Sequence, residues 1–392
     1  MIKLPWTSRT APHFVLEINR RCNISCEGCY KHLDGSDRSL EDIAGDLRDA
    51  RMQREIHTVS IAGAEPTLHP QLCEITHHVH EQGLKSALIS NGLALDDDYL
   101  EALKRAGLDI IMFHIDEGQR RPDMSPEPSW RDISDLRTEM TVRAASHGLD
   151  TGLSVTIHPA YLDRVPLLIQ FIVDSPQISF LFATSYFSLD GLLQAACNHA
   201  GDDGSGLPAH HAIPSQDERT TNRQIAALLR EKMGFEPFAY LPASWCDDHD
   251  APAMSWMSYF VPVIHGPNEN LHLKMRASLA DAFLFRISRL LSGKYMFYFK
   301  ANPVAVGMQL VLNALATGRV APCVQFLNRL RGEDARLSCK RLVFDNGPVV
   351  TADGQIACGV TCPNATVRHG HLRPVCMADK LQQGGVRDSR AH

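Results

Sequence analysis

The chain of 392 residues has no basic surplus: 39 lysines and arginines stand against 45 aspartates and glutamates, a formal net charge of −6. The electrostatic footprint of a nucleic-acid binder is absent from the chain as a whole, so no nucleic-acid partner is expected. No run of about 18 apolar residues occurs, and the opening MIKLPWTSRTAP holds no apolar h-region. Neither a membrane span nor export is therefore expected, and a cytoplasmic location is. Also missing is the composition of a disordered chain, because 44% of residues are apolar and 21% charged, the balance of a globular protein with a large core. The 11 cysteines are not spread as a disulfide framework would be. Three lie near the N-terminus, Cys73, Cys197 and Cys246 stand singly, and Cys323, Cys339, Cys358, Cys362 and Cys376 gather near the C-terminus. In a reducing compartment clustered thiols bind metal or do chemistry, which predicts a metal centre at each end of the chain.

Short apolar runs alternate with helical patterns through the first half. Strands are expected at His13 to Asn19, Ile56 to Gly63, Lys85 to Asn91, Asp109 to Asp116, Thr151 to His158 and Gln177 to Tyr186, with helices between them. Parallel strands need crossovers that helices supply, and six fall short of the eight of a closed barrel. The expected fold is α/β, a partial (β/α)6 TIM-like barrel with a C-terminal auxiliary-cluster region. The divisions are 1–200 for the core, 201–217 for a polar, Gly- and Pro-rich linker, 218–335 for a helical substrate-binding region, 336–380 for a cysteine-rich region and 381–392 for a disordered tail. The apolar stretch from Ala280 to Leu330 reads as core helices, with the lining of an acyl-chain pocket as the alternative. RLVFDNGPVVTADGQIAC carries two β-like runs with Asn-Gly and Asp-Gly turn signals, the pattern of a hairpin.

The N-terminal cysteines, Cys22, Cys26 and Cys29, directly follow the first strand. Three ligands do not close a tetrahedral zinc site unless a distant His or Cys completes it. A [4Fe–4S] cubane held by three cysteines keeps one iron open for another ligand. The C-x3-C-x2-C spacing, CNISCEGC, resembles the cluster-binding signature of the radical SAM superfamily, in which S-adenosylmethionine (SAM) chelates that open iron. Gly63-Ala64-Glu65-Pro66 after the second strand is similar to the family's Gly-Gly-Glu-Pro element, and Ser90-Asn91-Gly92 after the third to its Thr-Asn-Gly. The resemblance covers roughly residues 13 to 190.

What it implies is a [4Fe–4S] cluster on Cys22, Cys26 and Cys29, with SAM as cofactor. Glu65 and strand-end carbonyls would accept from the SAM ammonium, Gly63 and Ala64 would let the backbone approach, and Pro66 would set the turn. Ser90, Asn91, His114, Asp116 and Thr156 would reach ribose, carboxylate or substrate, although strand-end hydrogen bonding alone also accounts for His114 and Asp116. The residue before the third cysteine is often aromatic in this superfamily; here it is Gly28, with Tyr30 following.

VTADGQIAC resembles the start of the SPASM and twitch extensions, although the full seven-cysteine SPASM pattern is absent. A second [4Fe–4S] cluster on Cys339, Cys358, Cys362 and Cys376, with Cys323 or Cys246 as substitutes, is expected; structural zinc and unligated thiols are the alternatives. The implied activity is reductive cleavage of SAM to a 5′-deoxyadenosyl radical for C–H activation. Its substrate would be a lipid, a small natural product or a peptide, and its electron donor a protein such as flavodoxin or ferredoxin. The reading from another class is a non-catalytic zinc or iron–sulfur regulatory or scaffold protein.

Overall fold

The computed structural model describes residues 1–188, 191–192, 219–243, 254–293, 295, 302–332, 334–350, 356–358 and 361–378. The expected linker at 201–217, Cys197, Cys246 and the tail at 381–392 lie outside the described residues.

Six strands carry the fold: β1 His13–Glu17, β2 Thr58–Ala62, β3 Lys85–Ser90, β4 Ile110–His114, β5 Asp150–Ile157 and β6 Ile178–Ser185. Each pairs in parallel with the next, in sequence order. All five residues of β1 and of β2 are buried, the burial expected of a parallel sheet covered on both faces. Side chains alternate between the faces: Ile111 and Phe113 join the core under the helices, while Ile110 and Met112 join a second core on the concave side. The connecting helices are α1 Leu40–Gln53, α2 Leu72–Glu81, α3 Asp97–Arg105, α4 Trp130–Ser146 and α5 Val165–Asp174. Their starts are written locally. Ser39 and Asp96 accept from backbone N–H groups of their first turns, and Ser129 with Asp132 forms a capping box. The result is a partial (β/α)6 barrel.

The sheet continues beyond β6 with chain from far away. Arg336–Asp345 joins β6 in parallel, with Asp345 opposite Thr184, and pairs antiparallel with Met254–His265 on its other side. Ala239–Pro242 and then Ile2–Lys3 complete that edge. Segment 218–335 holds helices, Asn222–Met233 among them, but also an unexpected strand, because MSWMSYFVPVIH is rich in the aromatic and β-branched residues that suit a strand. The expected hairpin also differs. The run ending at Asp345 already has a partner on each side, so Val349–Val350 pairs with Ile356–Ala357 instead. The Asn-Gly signal survives as the stop of the long strand: Gly347 has φ 68°, and its N–H donates to Asp345 Oδ1 at 3.1 Å.

Lys340, fully buried on this long strand, donates from Nζ to the carbonyls of Ser175 (2.6 Å) and Ile178 (2.7 Å). It thereby places a cation at the C-terminal end of α5, where the helix leaves carbonyls without partners. The C-terminal hairpin, Ala365–Arg368 with His371–Pro374, returns to the first strand. Arg368 pairs with Glu17 of β1, Gln53 Nε2 donates to Gly370 O at 2.9 Å, and Arg54 Nη1 donates to both His13 O and Pro363 O. The helices Leu279–Ser292, Pro303–Thr317 and Val320–Asn328 lie against the concave core. Val306, Leu310, Ala314 and Phe326 are buried there, but the outward faces of these helices are not core, in contrast to the expectation.

Replacing Lys340 with Ala removes two buried hydrogen bonds, to Ser175 O and Ile178 O, and leaves a cavity. The unfolding free energy is expected to fall by about 3 kcal/mol, read by urea denaturation.

Candidate functional site

The C-terminal ends of β1 to β6 meet around a cavity of about 380 Å³. Its wall takes in Cys22, Cys26 and Cys29, Gly63 to Glu65, Ser90 and Asn91, His114 and Thr156. These residues come from five separate strand ends, and parallel pairing is what brings them to one rim.

The cysteine loop is pinned from the far side of that rim. Ser25–Cys26 pairs antiparallel with Gln119–Arg120, and Glu27 N donates to Gly118 O at 2.7 Å. Burial, followed by the charges of Asp116, Cys29 and Cys22, pushes the Cys26 thiol far above its ordinary value. Burial likewise raises Cys22, opposed by the backbone N–H of Ile24. A cation sharing the pocket would favour the thiolate form of such thiols. Among the described residues no three His, Cys, Asp or Glu side chains converge closely enough to share one metal ion. In a cubane each thiolate meets its own iron corner, so its ligands need not converge on one point.

Glu65 is 1% exposed. Oε1 accepts from Thr67 N, Thr67 Oγ1 and Ser90 Oγ at 3.1, 2.6 and 2.8 Å, and Oε2 accepts from Asn91 N at 2.7 Å. Oε2 thus keeps acceptor capacity for a ligand's ammonium. Pro66 opens the short turn Pro66–Leu68, for which Glu65 is the cap. Asn19, just past β1, donates to Glu65 O at 2.6 Å. A Cβ at Gly63 would lie 2.4 Å from Asn19 Oδ1 and 2.7 Å from Asn19 O, so only glycine permits the approach. The sequence reading overlooked Asn19, although it closes the apolar run HFVLEIN.

His114 lines the cavity, with Nδ1 3.0 Å from Ser154 O. Asp116 does not line it: the carboxylate is buried, accepts from Thr156 N at 2.8 Å, and lies 3.8 Å from His114 Nε2. Asp116 therefore orients Thr156 and His114. Arg137, fully buried, holds the preceding carbonyl, Ile115 O, through Nε and Nη2 at 2.9 and 2.7 Å. Ser185 lines the cavity, and its Oγ is buried without a hydrogen-bond partner among the described residues.

Gly28 has φ +70°, and a Cβ there would sit 2.2 Å from Cε2 of Tyr186. The aromatic ring that the residue before the third cysteine does not supply arrives instead from the end of β6. Tyr186 in turn stacks on His158, with centroids 4.3 Å apart. Beside it Tyr30 stacks on Phe187 at 5.8 Å, and Lys31, paired with Glu17, lies over the Tyr30 ring. No local pattern in the sequence marks Tyr186, because its partner is 158 positions away.

The C-terminal thiols divide. Cys358, Cys362 and Cys376 are joined by hydrogen bonds beside the cavity, whose wall includes Val375 and Asn364. The bond to Cys362 pulls Cys358 down, but the bond to Cys376, burial and the charges of Cys376 and Asp345 outweigh it and raise the thiol. The bond to Cys358, then burial, raises Cys362. Cys339 is not brought to this group. It sits six residues before Asp345 on the long strand, roughly 20 Å at about 3.3 Å per residue. Cys339 and Cys323 are both buried in the concave core.

Residues 16–170 match the Radical SAM superfamily. Over 114 residues the chain is 32% identical to the tungsten-containing aldehyde ferredoxin oxidoreductase cofactor-modifying protein of Pyrococcus furiosus, covering 26% of this chain and 30% of that one. Over 258 residues it is 27% identical to the PqqA peptide cyclase of Gluconobacter oxydans, covering 63% of this chain and 66% of that one. Streptococcus suis SuiB bound to S-adenosylmethionine superposes with a TM-score of 0.36 at 15% identity, over 50% of this chain and 42% of SuiB. The similarity to the Radical SAM superfamily therefore lies in the first half of the chain, over the strands that build the cavity. The chain spans less than two thirds of the length of these curated relatives.

Gly28→Ala combines a strained φ with a clash and is expected to cost about 1–3 kcal/mol. In a double-mutant cycle followed by thermal unfolding, Gly28→Ala with Tyr186→Ala should lose less than the sum of the single changes.

Proposed function

We propose that the protein is a radical SAM enzyme that cleaves SAM reductively and uses the 5′-deoxyadenosyl radical to take hydrogen from an organic substrate. The observation that carries this reading is the meeting of Cys22, Cys26 and Cys29 with Glu65, Ser90 and Asn91 in one cavity at the strand ends. Bound cluster and SAM would supply the electron and the radical, chemistry that no side chain provides. The three thiolates would hold the cluster, leaving one iron for SAM. Glu65 Oε2 would accept from the SAM ammonium, while Ser90 and Asn91 keep that carboxylate oriented. Thr156, in the cavity wall, would meet polar groups of the ligand. Tyr186, Tyr30 and Phe187 would wall off water from a radical that must not meet solvent.

Cys358, Cys362 and Cys376 would hold a second [4Fe–4S] cluster, with Asp345 next to them. Burial pushes the Asp345 carboxyl up to about 7, opposed first by the Gly347 N–H. A peptide substrate is supported by the PqqA peptide cyclase among the relatives. The electron would come from a small donor such as ferredoxin or flavodoxin.

The reading is tested with anaerobically reconstituted protein, dithionite and SAM. Wild type should release 5′-deoxyadenosine and Cys26→Ala should release at least about 100-fold less, the scale on which loss of an essential group reads out; equal release from both would overturn the assignment. Iron counting addresses the second centre. Cys358→Ser should lose about four irons per chain, the content of one [4Fe–4S] cluster, while Cys339→Ser keeps them.

A further inference from the structure

No described helix is long and apolar enough to cross a membrane. Three helices nevertheless show an apolar surface that no other described segment covers. On Leu279–Ser292, Leu279 is 89% exposed, Leu290 83% and Leu291 81%. On Pro303–Thr317, residues Val304, Met308, Val311, Leu312 and Leu315 are exposed at i, i+4, i+7, i+8 and i+11, one continuous stripe. Val320 and Val324 extend it onto Val320–Asn328. A surface of this size marks a contact with something else.

Charge says what that contact is. From residue 273 to residue 332 the sequence has nine lysines and arginines and a single acidic residue, Asp281, a surplus of eight in a chain whose net charge is −6. Asp281 is fully buried, held by Ser278 and by Asn313 Nδ2 at 2.6 Å, so it neutralises nothing at the surface. Lys274, Arg276, Arg286, Arg319, Arg329 and Arg331, on these helices or the segments next to them in the chain, are exposed. Two copies of so basic a face would repel each other, whereas anionic headgroups complement it while the acyl region takes the leucines and phenylalanines. A cavity of about 360 Å³ lies between these helices and the sheet, lined by Leu284, Phe285, Phe180 and Phe260. Met308 and Leu312 belong both to its wall and to the exposed stripe, so the apolar surface leads inward.

We propose that the face formed by the helices Leu279–Ser292, Pro303–Thr317 and Val320–Asn328 docks the protein on an anionic lipid bilayer, with the helices lying in the interface and the apolar cavity opening toward the acyl chains. The full-length protein is tested by sedimentation with phosphatidylcholine vesicles, with and without phosphatidylglycerol. Binding should be at least about tenfold tighter to the anionic vesicles and should weaken with salt. Phe283→Glu combined with Leu290→Glu should abolish binding, and Arg286→Glu with Arg319→Glu should reduce it about tenfold or more. All four side chains are exposed, so unchanged thermal unfolding of the variants checks the fold. Equal binding to neutral and anionic vesicles, or anionic binding that survives both pairs of substitutions, would overturn the proposal. So would absence of vesicle binding together with a concentration-dependent dimer that Phe283→Glu and Leu290→Glu disrupt, since the face would then join two copies. None of these readouts involves SAM, so failure here is separable from failure of the radical SAM reading.

Discussion

A single buried carboxylate ties the ends of three neighbouring strands together. Glu65 leaves β2, receives the Ser90 hydroxyl and the Asn91 N–H at the end of β3, and has its carbonyl held by Asn19 past β1. Hydrogen bonds to a charged acceptor in a buried setting are among the stronger ones a fold can make. Gly63 lets the two chains approach closely enough for them to form. The geometry of the rim, and with it the position of the cysteine loop relative to the strand ends, follows from this knot. Its chemistry is economical, since the same carboxylate that organises the rim keeps one oxygen lightly engaged and lines the cavity.

Around that knot the chain brings distant segments back to the same end of the sheet. Glu17 at the end of β1 pairs with Lys31 of the cysteine loop and with Arg368 of the C-terminal hairpin. Arg54 bridges the first strand and the segment at Pro363. The thiols of Cys358, Cys362 and Cys376 are thereby set beside the cavity that the first half of the chain builds. Two cysteine groups more than 300 residues apart share one region. The helices against the concave core have another character, exposing apolar residues beside basic ones.

Much of this was legible in residue order, and the reasons are local. Strand and helix periodicity, the C-x3-C-x2-C spacing, Gly63 to Pro66 and Ser90 to Gly92 each lie within one turn or one strand end, where neighbours in sequence are neighbours in space. The exposure of Leu290, Leu291 and Leu315 was not legible, because a helix apolar on both faces does not say which face the core will take. Nor was the division of the C-terminal cysteines, because the run through Cys339 reads equally well as half of a hairpin or as a central strand.

The sequence by itself determined the six parallel strands, the order in which their polar ends follow one another and the residue types offered at the rim, all through short-range pattern and turn chemistry. Only the tertiary structure decided that Arg336–Asp345 extends the sheet beside β6, that Tyr186 fills the space Gly28 leaves, and that Cys339 stands apart from Cys358, Cys362 and Cys376. Each of these rests on contact between segments far apart in the chain. Such pairings are chosen by the burial and hydrogen bonding of the whole sheet rather than by any local signal.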